Sequence, residues 1–278
     1  MDRITPRQAL RMVVIAATAL CFLMPLYWLT ISALRPEADI FRFLNPFGPW
    51  TLIPNQLTAD NIVGLWSGSF SRAIVNSIVV ALVTVIAGLM VCASAAFALA
   101  VIEFPGRGVV FTTMIVSFLI PFDAIAVPLY SIMRGFNLQN SYAGLVLPGI
   151  GNGLAVFLLR QFFQGIPKEL REAAMVDGMG WFRIFWSIYL PLSRPALVSA
   201  ALIMFIFQWQ AYLWPLLIAP SNDMKVAAVA LAQFSSAYNV SFGLIFAGAA
   251  FLSLIPMLIF VFFQQYFTSS VAATGSKE

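Results

Sequence analysis

Long apolar stretches without Asp, Glu, Lys or Arg divide the chain, and their lengths predict helices that cross a membrane. Uncharged runs cover Met12 to Leu34, Ala73 to Ile102, Gly135 to Leu159 and Pro195 to Asn222, and a fifth, Gly108 to Met133, is broken by Asp123 alone. A hydrocarbon core about 30 Å thick takes about 20 apolar residues per helix, so each run is long enough for one crossing. The last run, Val226 to Ser276, has room for two helices. Its first part, Val226 to Val240, carries Gln233, Ser235, Ser236 and Asn239 among alanines and is read as an extracytoplasmic or re-entrant segment. Phe242 to Phe267 is then the sixth span, and the expected fold is all-α, with six transmembrane helices.

Two polar segments separate these runs. Arg35 to Arg72, with Pro36, Pro46, Pro49 and Pro54, predicts an irregular loop on a membrane face, whereas Gln161 to Arg194 is amphipathic and charged. Residues 1–72 are accordingly taken as an anchor helix and extracytoplasmic loop. Residues 73–268 form the transmembrane domain, with a cytoplasmic loop at 165–194, and 269–278 form a short cytoplasmic tail. Within the second span Gly88, Cys92, Ala96 and Ala100 recur every four residues, a small-residue stripe of the kind that lets helix backbones approach in lipid.

Composition agrees with this pattern, since 61% of the 278 residues are hydrophobic and 9% charged, against about 25% charged in soluble domains. An even number of spans puts both termini on one side. With both in the cytoplasm, Arg3, Arg7, Arg11, Arg107, Arg160, Lys168, Arg171, Arg183, Arg194 and Lys277 are inside, and Arg35, Arg42, Arg72, Arg134 and Lys225 are outside. Short cytoplasmic loops carry the excess of basic residues, so the termini are placed inside. The net charge of +4 then faces lipid head groups and cytoplasmic partners, with no nucleic acid needed to explain it.

Several chemistries are disfavoured. There is no histidine, so the usual general base and the HExxH metal pattern are absent, and Cys21 and Cys92 both lie in apolar runs without metal-ligand spacing. No GxxxxGK[ST] loop is present; Gly149-Ile150-Gly151-Asn152-Gly153 lacks the lysine and is read as a packing or bending site. If the protein uses ATP, another subunit binds it, and no metal or cofactor is expected in this chain. Asp123 is the one acid inside a span, too few for a proton relay or a paired-carboxylate enzyme.

The cytoplasmic segment Ile166-Pro167-Lys168-Glu169-Leu170-Arg171-Glu172-Ala173-Ala174-Met175-Val176-Asp177-Gly178 reads as a short helix. Pro167 suits its first position, Glu169 its positive end and Gly178 a left-handed stop. Leu170, Ala173 and Ala174 fall on one face, with Lys168, Arg171 and Glu172 on the other. A second amphipathic stretch follows, with Trp181, Phe182, Phe185, Ile188 and Tyr189 as its buried stripe and Arg183 and Ser187 opposite, ending at Leu190-Pro191.

Glu172-Ala173-Ala174, Asp177-Gly178, Ile188 and Leu190-Pro191 at these spacings resemble the EAA loop of binding-protein-dependent ABC importers. The resemblance extends through Asn76-Ser77, Phe104-Pro105-Gly106-Arg107, Pro128-Leu129-Tyr130, Leu159-Arg160-Gln161-Phe162-Phe163 and Ile255-Pro256, which are similar to the maltose-type sugar permeases. Ser141-Tyr142-Ala143-Gly144-Leu145 and Tyr212-Leu213-Trp214-Pro215-Leu216-Leu217 are similar to the glycerol-phosphate branch. Met179 stands where the family usually has alanine, Trp209-Gln210 replaces the usual Trp-Asn, and the tail lacks the family's glycine-rich ending.

The resemblance implies a type I ABC importer permease in a bacterial-type plasma (inner) membrane. It would form a heterodimer with a second permease, over two ATPase subunits and beneath an extracytoplasmic solute-binding protein. Glu172, Ala173, Ala174, Asp177, Gly178, Ile188, Leu190 and Pro191 would couple to the ATPases. The expected solute is an oligosaccharide or polyol, with glycerol 3-phosphate or a glycerophosphodiester as the alternative, and a lipid-modifying enzyme as the reading outside transport. For the solute path, Asp123 lies between Pro121 and Pro128, and Gln208, Trp209 and Gln210 lie near the middle of the fifth span. An acid within a span is costly and favours a wet cavity; an aromatic face beside amides suits a sugar ring. Tyr130, Asn76 and Tyr212, on segments that carry the resemblance, complete the candidate path.

Overall fold

The computed structural model describes residues 5–235 and 240–275, with side chains through Gln264. Arg3, Ser236, Asn239 and Lys277, and the end of the tail, lie outside the described residues. Among the described residues the chain is helical apart from turns and one antiparallel bridge, Ser235 with Val240. The helices used below are α1 (Pro6–Ala33), α2 (Asp60–Ser67), α3 (Phe70–Val101), α4 (Arg107–Leu119), α5 (Phe122–Gly135), α6 (Tyr142–Ile150), α7 (Gly153–Gln164) and α8 (Lys168–Val176). They continue with α9 (Trp181–Leu192), α10 (Arg194–Trp209), α11 (Leu213–Ile218), α12 (Ala227–Ala232) and α13 (Phe242–Gly275).

Three of these, α1, α3 and α13, are long and apolar enough to cross a membrane, and the number reaches six if each bent pair counts as one span. The run from Gly108 to Met133 is therefore not one rod: α4 and α5 meet at 99°. Ile120, extended at φ −69° and ψ 123°, precedes Pro121, whose ring disfavours a helical residue before it. Pro128 sits inside α5 without ending it. In the next run α6 and α7 meet at 42° across Gly151-Asn152, and the Asn152 side chain caps α7 by accepting from Ala155 N at 2.9 Å. The glycine cluster is a bending site. The run from Pro195 to Asn222 is likewise interrupted, α10 ending at Trp209 and α11 starting at Leu213.

Two compact units emerge: Met1–Ser71 with Ala230–Met257, and Arg72–Val229 with Leu258–Glu278. In the first, Thr5 and Gln8 form a capping box and Pro6 starts α1. The segment after α1, expected to be irregular, is folded: it holds α2, two short 3-10 turns and a helical turn at Pro49–Leu52. Its centre is Arg35, fully buried, which donates to the carbonyls of Trp50 (2.9 Å) and Thr51 (2.8 Å) and lies over the Trp28 ring. Burial pushes the Arg35 guanidinium down from its ordinary pKa, while Tyr27 and Asp39 oppose that shift. Asn61 donates to the carbonyls of Ala33 and Arg35, and Phe41 meets Phe242 edge-on at 4.8 Å. Of the segment 226–240, Val226 belongs to the second unit, and Ala227–Ala232 is a short helix whose Ala227, Val229 and Ala230 are buried.

In the second unit the small-residue stripe of α3 is buried at Gly88, Cys92 and Ala96. It packs on the α6/α7 break. The Cys92 thiol donates to the carbonyls of Ile150 (3.5 Å) and Asn152 (3.6 Å), and a Cβ on Gly88 would lie 2.9 Å from the Ile150 carbonyl oxygen. Close helix approach in lipid needs small residues of this kind.

Candidate functional site

Helix α8 starts one residue later than its sequence predicts, with Pro167 as its N-cap and Glu169 in its first turn. Its end is a Schellman motif. Gly178 is left-handed at φ +77°, its N–H bonds the Met175 carbonyl, and the Met179 N–H reaches back to the Ala174 carbonyl at 2.9 Å. Met179 and Ala174 both pack into the core, which gives this stop its apolar contact.

The inward face of α8 is rotated from the expected one. Ala174 and Arg171 turn inward, and Leu170 (44% exposed) and Ala173 face out. Arg171, expected on the polar face, donates to the Val101 carbonyl at 3.2 Å and approaches Glu172 Oε1 at 3.5 Å. The cause is the carbonyl end of α3, whose last carbonyls lack helical partners and form the negative end of the helix dipole that attracts a guanidinium.

In α9 the stripe also shifts. Phe185 and Tyr189 are buried as expected, and Ile188 and Leu190 pack against the same core. Phe182 is 77% exposed, however, and Ile184 is buried instead. A π turn at Phe185–Tyr189 places one extra residue in the coil, so one 3.6-residue stripe cannot describe both halves. Phe97 of α3 seats α9 through Phe185 (5.1 Å) and Tyr189 (5.0 Å). Chain direction then turns by 83° from α9 into α10 at the buried Ser193.

The result is a rigid seat with an apolar exposed surface. Leu170, Met175, Val176 (88% exposed), Phe182 and Trp186 are open, beside exposed Glu172, Asp177 and Gly178, with Pro191 exposed farther along. Nothing in this loop assembles a reacting pair, so its chemistry is that of contact.

The residues proposed for a solute path are spread over several environments. Asp123 is exposed in the first turn of α5, directly after the 99° break. Its neighbour Phe122 meets Trp214 of α11 edge-on at 6.0 Å, and Tyr212, exposed, precedes that helix. Gln210 is exposed at the end of α10. Trp209 is buried and stacks on Phe205 at 5.5 Å, and the Tyr130 hydroxyl accepts from Gln139. Asn76 is buried too: it donates to the carbonyls of Asp223 (2.8 Å) and Lys225 (2.9 Å) and accepts from the Tyr142 hydroxyl at 2.7 Å. Its amide is thus engaged in holding the segment before α12 to α3 and α6. Arg72, at the start of this unit, pairs with Asp223 at 3.3 Å.

Sequence reasoning passed over Arg171 and the other arginines near the end of α3, because no local spacing marks a guanidinium that caps a distant helix. It also passed over the close approach of Gly149 to Gln208 and Thr84, where an added Cβ would lie 2.7 Å from Gln208 Oε1.

Residues 61–273 match the family described as binding-protein-dependent transport system inner membrane component. The chain is 34% identical, over 91% of its length and 90% of the relative's, to the arabinooligosaccharides transport system permease protein AraQ of Halalkalibacterium halodurans. It is 33% identical to the sn-glycerol-3-phosphate transport system permease protein UgpE of Yersinia pestis, over 88% of this chain and 89% of that one. A solved bacterial ABC transporter involved in import of the acidic polysaccharide alginate superposes with a TM-score of 0.81 at 20% identity, covering 96% of this chain and all of the other, which establishes the likeness of fold.

Proposed function

Since this chain belongs to the family of binding-protein-dependent transport system inner membrane components, we propose that it forms half of the pore of an ATP-driven importer for an oligosaccharide or polyol. A second permease completes the pore, two ATPase subunits bind ATP and magnesium, and an external binding protein delivers the solute. The observation that carries the coupling role is α8 with the start of α9: a capped helix seated on α3, presenting Leu170 and Val176 outward beside Glu172, Asp177 and Gly178, with Phe182 of α9 also exposed. Exposed apolar groups of that size on a polar loop favour a protein partner, and the ATPases are that partner.

Sugar is preferred to glycerol phosphate as the solute. Of the basic residues at the proposed outer ends of spans, Arg72 and Arg134 are both exposed at helix ends, and neither lies deep within a span, where a translocated phosphate would need its charge met. The deciding experiment purifies the cognate binding protein and identifies the solute it retains. Uptake of that solute by the reconstituted complex, with ATP hydrolysis, supports the reading, and a retained phosphodiester or glycerol phosphate displaces it.

Both termini are placed in the cytoplasm. A cysteine at the exposed Ser187 of α9 should then react with an impermeant thiol reagent only after the membrane is opened, and one at the exposed Gln56 should react in intact cells. The buried Ser193 is unsuitable for such a label. The opposite labelling pattern overturns the orientation.

Asp123, Gln210 and Tyr212, all exposed, are assigned as solute contacts, whereas Trp209, Tyr130 and Asn76, engaged with Phe205, Gln139 and the Asp223 and Lys225 carbonyls, are assigned a supporting role. Loss of one solute hydrogen bond costs about 0.5–1.5 kcal/mol, so Asp123→Ala and Gln210→Ala should each lower uptake roughly two- to tenfold. Basal ATP hydrolysis and assembly should be retained. Wild-type uptake in both variants removes these residues from the path.

A further inference from the structure

Helix α3 ends at Val101, so its last carbonyls have no helical N–H to receive and form the negative end of the helix dipole. Two guanidinia meet them, and a third meets the carbonyl of Ile102, the residue that follows. Arg160 Nε of α7 donates to the Leu99 carbonyl at 3.1 Å, Arg171 Nη1 of α8 to the Val101 carbonyl at 3.2 Å, and Arg107 Nη1, the first residue of α4, to the Ile102 carbonyl at 3.2 Å. Each arginine comes from a different helix, so this collar joins three elements to one helix end.

Its members differ in what they can transmit. Arg107 reaches back five residues across the turn at Gly106 and fixes only local geometry. Arg160 also lies 3.9 Å from the Phe111 ring centre and reaches Gln164, which ties α7 to α4. Arg171 alone of the three is carried by α8. Its side chain is 16% exposed, and the Glu172 carboxylate, itself well exposed, lies 3.5 Å from Nη2, at the edge of hydrogen-bonding reach. The apolar contact at Ala174 can slide, whereas a charge-assisted hydrogen bond to a carbonyl is directional.

We propose that Arg171 is the positioning residue that locks α8 to the end of α3, so that a push on the loop displaces α3 as one body with α8. This rests on the coupling role assigned to the loop above. It adds the physical link by which that push leaves the loop, and two arrangements of a packed element are what coupling requires.

The test uses the full complex of both permeases, the ATPases and the binding protein in nanodiscs, with exposed Cys21 replaced by serine. Spin labels are placed on cysteines at the exposed positions Lys168 of α8 and Ser94 of α3. Their distance is read without nucleotide and with ATP and vanadate. With Arg171 present, a single distance should persist, shifting by no more than about 1–2 Å between the two states. Arg171→Met keeps the stem and removes the donors, so the distribution should widen at least twofold in the trapped state. Stimulation of ATP hydrolysis by the binding protein should fall at least about fivefold. Arg171→Lys retains a donor and should restore the single distance and part of the stimulation.

A narrow, unchanged distance in Arg171→Met overturns the proposal, whether or not stimulation is lost. If neither variant assembles, Arg171 is a folding residue and the proposal falls as well. If Arg171→Met widens the distance while Gly178→Asp leaves stimulation intact, the link stands and the coupling reading of the loop fails.

Discussion

Replacing Gly178 with aspartate is expected to abolish solute uptake, by at least about tenfold, while the protein still inserts and assembles. The Gly178 backbone is left-handed at φ +77°, and the Schellman bonds from Gly178 and Met179 depend on it. A side chain there would meet no atom within 4 Å, so crowding is not the source of the effect. Left-handed backbone costs most L-residues roughly 1–2 kcal/mol and costs aspartate and asparagine less, since both visit that region, so backbone strain is the smaller part of the expected effect. The added charge would also sit on the surface proposed to meet the ATPase. Gly178→Asn separates the two causes, since asparagine tolerates the left-handed region and carries no charge; its uptake should stay within about threefold of the parent. Uptake in Gly178→Asp equal to the parent would remove the basis for assigning this loop a coupling role.

Gly144→Leu is expected to reduce the amount of assembled complex at least tenfold, a loss of structure rather than of transport. A Cβ at this position in α6 would lie 2.1 Å from the Leu138 carbonyl oxygen and 3.1 Å from Ile218 Cγ1. The first is backbone and cannot swing aside. The Gly144 carbonyl also accepts from Trp214 Nε1 at 2.9 Å, so shifting α6 would break a buried bond to α11. Overpacking costs about 1–3 kcal/mol even where side chains can adjust, and losing the tryptophan's partner adds to it. Gly151→Ala is the matched control, with open space around its Cβ, and should accumulate normally. Normal yield of Gly144→Leu in detergent-solubilised membranes would refute the close packing of α6 on the Leu138 turn.

What was legible in the chain follows from how each feature is encoded. Spans α1 and α3 could be read from run length, because hydropathy adds along a helix and the charges of Arg35 and Glu103 mark where it stops. The Schellman stop at Gly178 was equally local: one residue type, one dihedral. Pro121 announced a bend, but its size is set by how α5 packs on α11, through residues such as Phe122 and Trp214. The inward turn of Arg171 depends on a carbonyl seventy positions earlier in the chain, and a helical wheel carries no information about it. The exposure of Phe182 was missed for a different reason, since periodicity assumes a constant turn and the π turn at Phe185–Tyr189 breaks that assumption. Among the candidate path residues, Asn76 shows the general difficulty. An amide at the start of a span suits a sugar hydroxyl and a loop carbonyl equally, and here Asp223, Lys225 and Tyr142 occupy it.

The first compact unit is discontinuous, joining Met1–Ser71 to Ala230–Met257, and this sets a timetable for the ribosome. At about 5–20 residues per second, some ten to thirty seconds of synthesis separate Phe70 from Phe234, its ring partner at 6.1 Å. Phe41 waits as long for Phe242, and Asn61 for the glycine that lies against it, Gly243. During that interval the N-terminal segment lacks its Ala230–Met257 partners, which leaves apolar groups such as Phe41 and Phe70 open to chaperones and membrane proteases.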